Sequence, residues 1–131
     1  GYKHDGTDRT PNTTWITSIN QNSDWTATQD PCKLELGTSW RIPTATEWNN
    51  VKTSGGWTNW TGTWNSLLKL HAAGDLLWNA GTLEWRGQGG DFWSVSQTAA
   101  NTANWLGFNS SGCAVNNDLK TFGFTIRCLK D

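Results

Sequence analysis

Asn104-Trp105-Leu106-Gly107-Phe108, then Asn109-Ser110-Ser111-Gly112, then Cys113-Ala114-Val115-Asn116-Asn117: the fold class is decided by this stretch. In its first part Leu106 and Phe108 alternate with Trp105 and Gly107, the period of a half-buried strand. The middle part is turn chemistry, and the third part alternates again. Together they predict a β-hairpin. Leu106, Phe108 and Val115 should face inward, and Trp105, Gly107, Ala114 and Asn116 outward. Upstream, residues 91–95 (Asp91-Phe92-Trp93-Ser94-Val95) predict the start of a strand. Downstream, residues 122–129 predict a last strand with Phe122, Phe124, Ile126 and Cys128 on one face. The C-terminal part therefore reads as an antiparallel meander.

Helical signals lie earlier. Thr44 with Glu47 three residues on is a capping box, and it predicts a helix through Trp48 to about residue 52 that stops near Gly55-Gly56. Just before it, Trp40-Arg41-Ile42-Pro43 should be extended, because the residue before a proline is pushed away from the α region. Residues 31–36 suit one helical turn, residues 15–19 a short strand, and Leu67-Leu68-Lys69-Leu70 a buried segment. Residues 53–65 and 74–90 carry loop chemistry. No repeat of fixed period occurs. Short helices followed by a meander define an α+β domain with long irregular Trp-rich loops. One domain over 1–131 is expected, with 1–24 its polar N-terminal segment.

Composition narrows the function. The 131 residues hold ten Lys and Arg against eleven Asp and Glu, a net charge of −1, with only 16% charged and 35% hydrophobic residues. Eleven tryptophans supply the apolar bulk, which argues against a disordered chain. No Lys/Arg run offers the phosphate neutralisation on which nucleic-acid binding rests. No apolar stretch approaches the ~20 residues of a membrane span. The chain begins at Gly1 and has no signal peptide, so a mature or trimmed fragment is expected.

The three cysteines, Cys32, Cys113 and Cys128, show neither CxxC spacing nor a Cys/His cluster, so neither a zinc site nor any cofactor is expected. One disulfide is expected between Cys32 and Cys128, which lie in or beside regular elements, whereas Cys113 follows a glycine-containing turn. The alternative is that both thiols are free and buried. The bridge would close a loop of roughly 95 residues, worth on the order of 4 kcal/mol.

Several stretches taken in order resemble a known family. They are Asp30-Pro31-Cys32, Trp40-Arg41-Ile42-Pro43-Thr44 with Glu47-Trp48, and Leu68-Lys69-Leu70-His71-Ala72-Ala73-Gly74, followed by Phe92-Trp93-Ser94, Lys120-Thr121-Phe122-Gly123-Phe124 and Ile126-Arg127-Cys128. Over roughly residues 25–131 the chain resembles the bacterial major paralogous domain family (FISUMP), with its WRLPT..EW, LKL..AG, WSS and GFSVRC motifs. The resemblance implies a C-type-lectin-like fold with two short helices and a small antiparallel sheet. The chain also resembles the variable proteins of diversity-generating retroelements, which display changeable residues on the last strands and loops of such a scaffold. That resemblance implies a ligand-binding set comprising Asn104, Trp105, Gly107, Gly112, Asn116, Asn117, Asp118 and Leu119. Strand alternation adds Ala114, and Trp85 and Asp91 are expected to border the patch.

The remaining residues are weighed against plainer roles. Trp40, Trp48 and Trp93 are expected in the core. Trp57, Trp60, Trp64, Trp78, Trp85 and Trp105 are candidates for an exposed platform, or else filling for a Trp-packed loop region. His71 is expected to be a hydrogen-bonded structural histidine, and His4 and His71 suggest no catalytic triad. Glu84 and Asp91 are expected to be solvated loop charges. Calcium lectin signatures are absent, so no metal is expected. Arg41 and Arg127 should pair with acids or loop carbonyls, and Lys120 should end a strand. Asn12, Asn59 and Asn109 head glycosylation sequons. The expected function is a non-enzymatic extracellular module, on a cell or phage surface, that binds a protein or glycan. It would be a monomeric part of a larger protein, with no nucleic-acid partner and no membrane insertion. The alternatives are a glycan-binding lectin-like module or a structural spacer. An enzyme, such as the formylglycine-generating proteins of the same broad fold, would need catalytic cysteines or a metal that the sequence does not present.

Overall fold

The computed structural model describes residues 14–131, so Tyr2, His4 and Asn12 lie outside the described residues. It is an α+β arrangement of three helices and small antiparallel sheets. Helix α1 (Pro31–Leu36) is capped by Asp30, whose buried carboxylate accepts from the backbone N–H of Cys32 at 2.8 Å and of Ile42 at 3.0 Å. The same side chain therefore starts α1 and fastens it to the chain just after β1 (Trp40–Arg41). Helix α2 (Ala45–Ser54) begins with the full Thr44–Glu47 capping box. Arg41 grips both Glu47 oxygens at 2.7 Å and donates through Nε to Asp131 at 2.8 Å. That fork, with help from Thr44, holds the Glu47 carboxyl down at about 2.

The main sheet is the expected hairpin with one strand added: β4 (Gly89–Ala99), β5 (Thr102–Asn109) and β6 (Cys113–Leu119), in the order β4-β5-β6. Leu106 and Phe108 do point inward. With Trp48, Trp57, Leu70 and Phe92 they form a core between α2 and one face of the sheet. Trp48 ties the layers together through an indole hydrogen bond of 3.1 Å to the Trp93 carbonyl. The opposite face carries a second cluster of Trp93, Ala103 and Phe124, with Trp25, Trp105 and Phe122 packed around it. The C-terminal segment supplies both phenylalanines, so the sheet is covered on two sides. A disulfide joins Cys32 to Cys128, whose Cα atoms are 5.5 Å apart, and Cys113 is a free thiol.

Several expectations are corrected. Residues 15–19 form no strand: the Trp15 indole donates to the Trp78 carbonyl, and further along the chain Gln21 donates to the turn carbonyl of Ala100 and Trp25 to the β4 carbonyl of Val95. Strand propensity is expressed only beside a partner edge. Residues 60–65 are not loop but helix α3 (Trp60–Asn65), capped by Asn59 and anchored by the fully buried Thr63. Poor helix formers hid it from the sequence, and tertiary packing overrides propensity. The last strand is reduced to β7 (Leu129–Lys130), paired with β1. Before it, residues 122–128 bridge successively to Leu76 at Gly123 and to Phe92 at Thr125, never long enough with one partner to form a ladder. Leu67 is fully exposed although Leu70 is buried, Trp40 is half-buried rather than core, and Trp57 is buried rather than displayed. His71 is exposed.

Candidate functional site

Two short strands build the edge of a groove. β2 (Asp75–Leu76) pairs with β3 (Leu83–Glu84), which sets Asp75 opposite Glu84. Gly74, just before β2, has φ +76° and bridges Gly90 of β4. A Cβ at Gly74 would lie 2.6 Å from the Arg86 nitrogen, so only glycine allows this close approach. It lays β2 beside the main sheet and brings Asp75 toward Asp91. Across the sheet the register aligns Asp91, Gly107 and Ala114 in one row, and Trp93, Trp105 and Asn116 in the next. All six share the face away from α2. The Trp105 ring folds over Gly107, where any Cβ would collide with it, and packs on Phe124 with ring centroids 5.0 Å apart. The result is a groove of about 440 Å³.

Of the sequence candidates, Trp85, Asp91, Trp105 and Gly107 line this groove, as do Gly112, Ala114, Asn116 and Asp118. Asn104, Asn117 and Leu119 do not. Asn104 pairs with Asn117, one residue out of step with the groove row, so both belong to the α2 face together with Leu119. Trp105 is half-buried, because Phe122 and Phe124 cover the hairpin face that the sequence left open. Trp85 is 55% exposed and holds φ +56°, a left-handed conformation uncommon for a bulky residue. Its carbonyl accepts from Gln88 and Gly89, which fixes the turn that carries the indole to the groove. Glu84 and Asp91 are not separate loop charges: both line the groove, with Asp75, which sequence reasoning missed. The missed signal was Gly74-Asp75, a glycine hinge followed by an acid within a loop-like stretch.

The groove is electrostatically unbalanced. Asp75, Glu84, Asp91 and Asp118 line it, and none forms an ion pair with a lysine or arginine among the described residues. Burial first, and the Asp75 charge second, push the Asp91 carboxyl up to about 7. Burial and the neighbouring Glu84, with Asp118, also raise Asp75. Asp75 is only 8% exposed and its buried Oδ1 has no hydrogen-bond partner among the described residues; the buried Trp105 Nε1 also lacks one there. Burial raises the half-buried Cys113 thiol as well, against the pull of Lys52. Among the described residues no group of His, Cys, Asp and Glu is placed to hold a metal ion.

The sign of the pH dependence follows. In the unfolded chain Asp91 ionises near ~3.9, but in the fold only near about 7. Stability attributable to this group is greatest at low pH, falls as pH rises between those values, and is level above. Asparagine does not titrate. Asp91→Asn is therefore expected to gain on the parent by roughly 1–2 kcal/mol between pH 5 and pH 8, after discounting for solvent screening. Urea denaturation at the two pH values checks this, and a difference that does not change with pH contradicts it.

A second cavity of about 520 Å³ lies between residues 16–31 and the C-terminal segment, lined by Ile16, Trp25, Val95 and Phe122 among others. Among the described residues no helix is long and apolar enough to cross a membrane. No protein-family model, curated protein or solved structure matches the chain.

Proposed function

We propose that the chain is an extracellular, non-enzymatic ligand-binding module built on a C-type-lectin-like scaffold of the FISUMP type. Its binding surface is the groove and its rim. The observation that carries this reading is the convergence of the hairpin's outward row with the loop residue Trp85 on one concavity. The resemblance to retroelement-encoded variable proteins supports an adaptable surface, as do the small and amide residues Gly112, Ala114 and Asn116 beside an exposed indole. The Cys32–Cys128 bridge supports an oxidising location such as a cell or particle surface. The partner is a macromolecule, protein or glycan, on another surface.

Glycan and protein arrays probed with the domain test this, with Trp85→Ala as the control. Because Trp85 is largely exposed, its removal should leave the melting temperature unchanged and weaken array binding by more than ~1 kcal/mol, as expected of an interface anchor. Arrays without a ligand, or binding indifferent to Trp85→Ala, would overturn the reading.

A further inference from the structure

Two buried polar atoms of groove-lining residues, an acceptor and a donor, have no hydrogen-bond partner among the described residues: Asp75 Oδ1 and Trp105 Nε1. Burying such groups unpaired costs free energy that a bound ligand would recover. The neighbouring charges narrow what that ligand is. Asp75 comes from β2, Glu84 from β3, Asp91 from β4 and Asp118 from β6, so four elements each contribute one acidic residue to the lining of the same concavity. No lysine or arginine among the described residues answers them with an ion pair. The carboxylates do not gather closely enough to hold one metal ion. Aromatic rings complete the lining, with Trp85 exposed and Phe122 and Phe124 stacked 5.0 Å apart.

We propose that the groove receives a lysine or arginine side chain presented by an extended peptide. The cationic head would sit beside Asp75, within electrostatic reach of Glu84, Asp91 and Asp118, and would donate to the orphaned Asp75 Oδ1 once a side-chain rotation opens that buried atom to the groove. An adjacent peptide carbonyl would accept from Trp105 Nε1. The aromatic lining suits the same guest, because ammonium and guanidinium groups are attracted to ring faces. A neutral sugar could satisfy the two orphaned atoms but would leave the four acidic residues without a counter-charge. The proposal rests on reading the groove as the binding site.

The test follows the Trp105 indole N–H resonance by NMR during titration with Gly/Ser-flanked pentapeptides whose central residue is Lys, Arg, norleucine or Glu. Neutral oligosaccharides and calcium chloride are titrated in parallel. The Lys or Arg peptide should shift the resonance, the norleucine and Glu peptides should not, and added salt should weaken the effect. Asp75→Asn should reduce affinity at least tenfold. Asp118→Asn, at a more accessible position, should reduce it severalfold and keeps the test valid should Asp75→Asn fail to fold. If sugars, calcium or the norleucine peptide shift the resonance and the basic peptides do not, the groove binds but the basic-ligand proposal is overturned. If no probe perturbs any groove resonance, the groove reading falls with it.

Discussion

Replacing both Cys32 and Cys128 by serine is expected to cost about 4–5 kcal/mol of stability, enough to bring a marginally stable domain close to unfolding at room temperature. The bridge spans 96 residues of sequence, so the unfolded chain loses much freedom when it is closed. It also has a local task. Cys32 is 1% exposed and its N–H is held by Asp30, which holds Ile42 as well. Cys128 stands just before β7, which pairs with β1. The disulfide therefore clamps α1 to the C-terminal end of the chain, near the place where Arg41 reaches Asp131. Cys113→Ser is the contrast. That thiol is free and only half-buried at the core's margin, and its replacement should cost no more than ~1 kcal/mol. Urea denaturation of the two variants decides the matter. A double-serine variant within ~1 kcal/mol of the parent, or peptide mapping that finds Cys113 bridged, would refute the assignment.

The parts of this fold that local chemistry specifies were legible. Alternation fixed which side of the hairpin Leu106 and Phe108 take, and the capping box fixed the start of α2, because both are set by neighbours within a few residues. What could not be read depends on distant segments. Trp57 looked like a loop aromatic, yet α2 and α3 close over it, with Gly62 of α3 packed against its backbone. Residues 122–128 had the alternation of a strand, but their backbone bonds are divided among Leu119, Leu76, Asp91 and Trp93. Periodicity reports which side chains share a face and is silent on whether one partner runs alongside.

The site divides along the same line. Trp105, Gly107, Ala114 and Asn116 follow from alternation and lie in the groove, whereas Asn104, Asn117 and Leu119 were drawn from a family pattern against that alternation and lie on the other face. Asp75 reaches the groove only because Gly74 permits a left-handed backbone against Arg86. That contact joins residues distant in sequence, and no local pattern announces it.

Trp48→Ala is expected to cost ~3–5 kcal/mol for the lost volume and burial, with a further ~1–3 kcal/mol if the Trp93 carbonyl is left without a donor. Trp48 is 2% exposed and packs tilted against Phe92 with centroids 6.2 Å apart. It reaches from α2 to β4, where the Ala45 N–H also donates to Ser96 Oγ at 3.2 Å, and its indole bond to Trp93 fixes how the helix sits on the sheet. Trp48→Phe should recover part of the packing loss but none of the hydrogen bond, and so fall between alanine and the parent. Trp64 supplies the control, since it is 54% exposed and its ring faces the Lys69 ammonium at 5.9 Å. Trp64→Ala should cost about 0.5 kcal/mol. Urea unfolding curves for the three variants give the comparison directly. If Trp48→Ala costs no more than Trp64→Ala, the core is not organised around Trp48 and α2 does not hold the sheet that carries the groove.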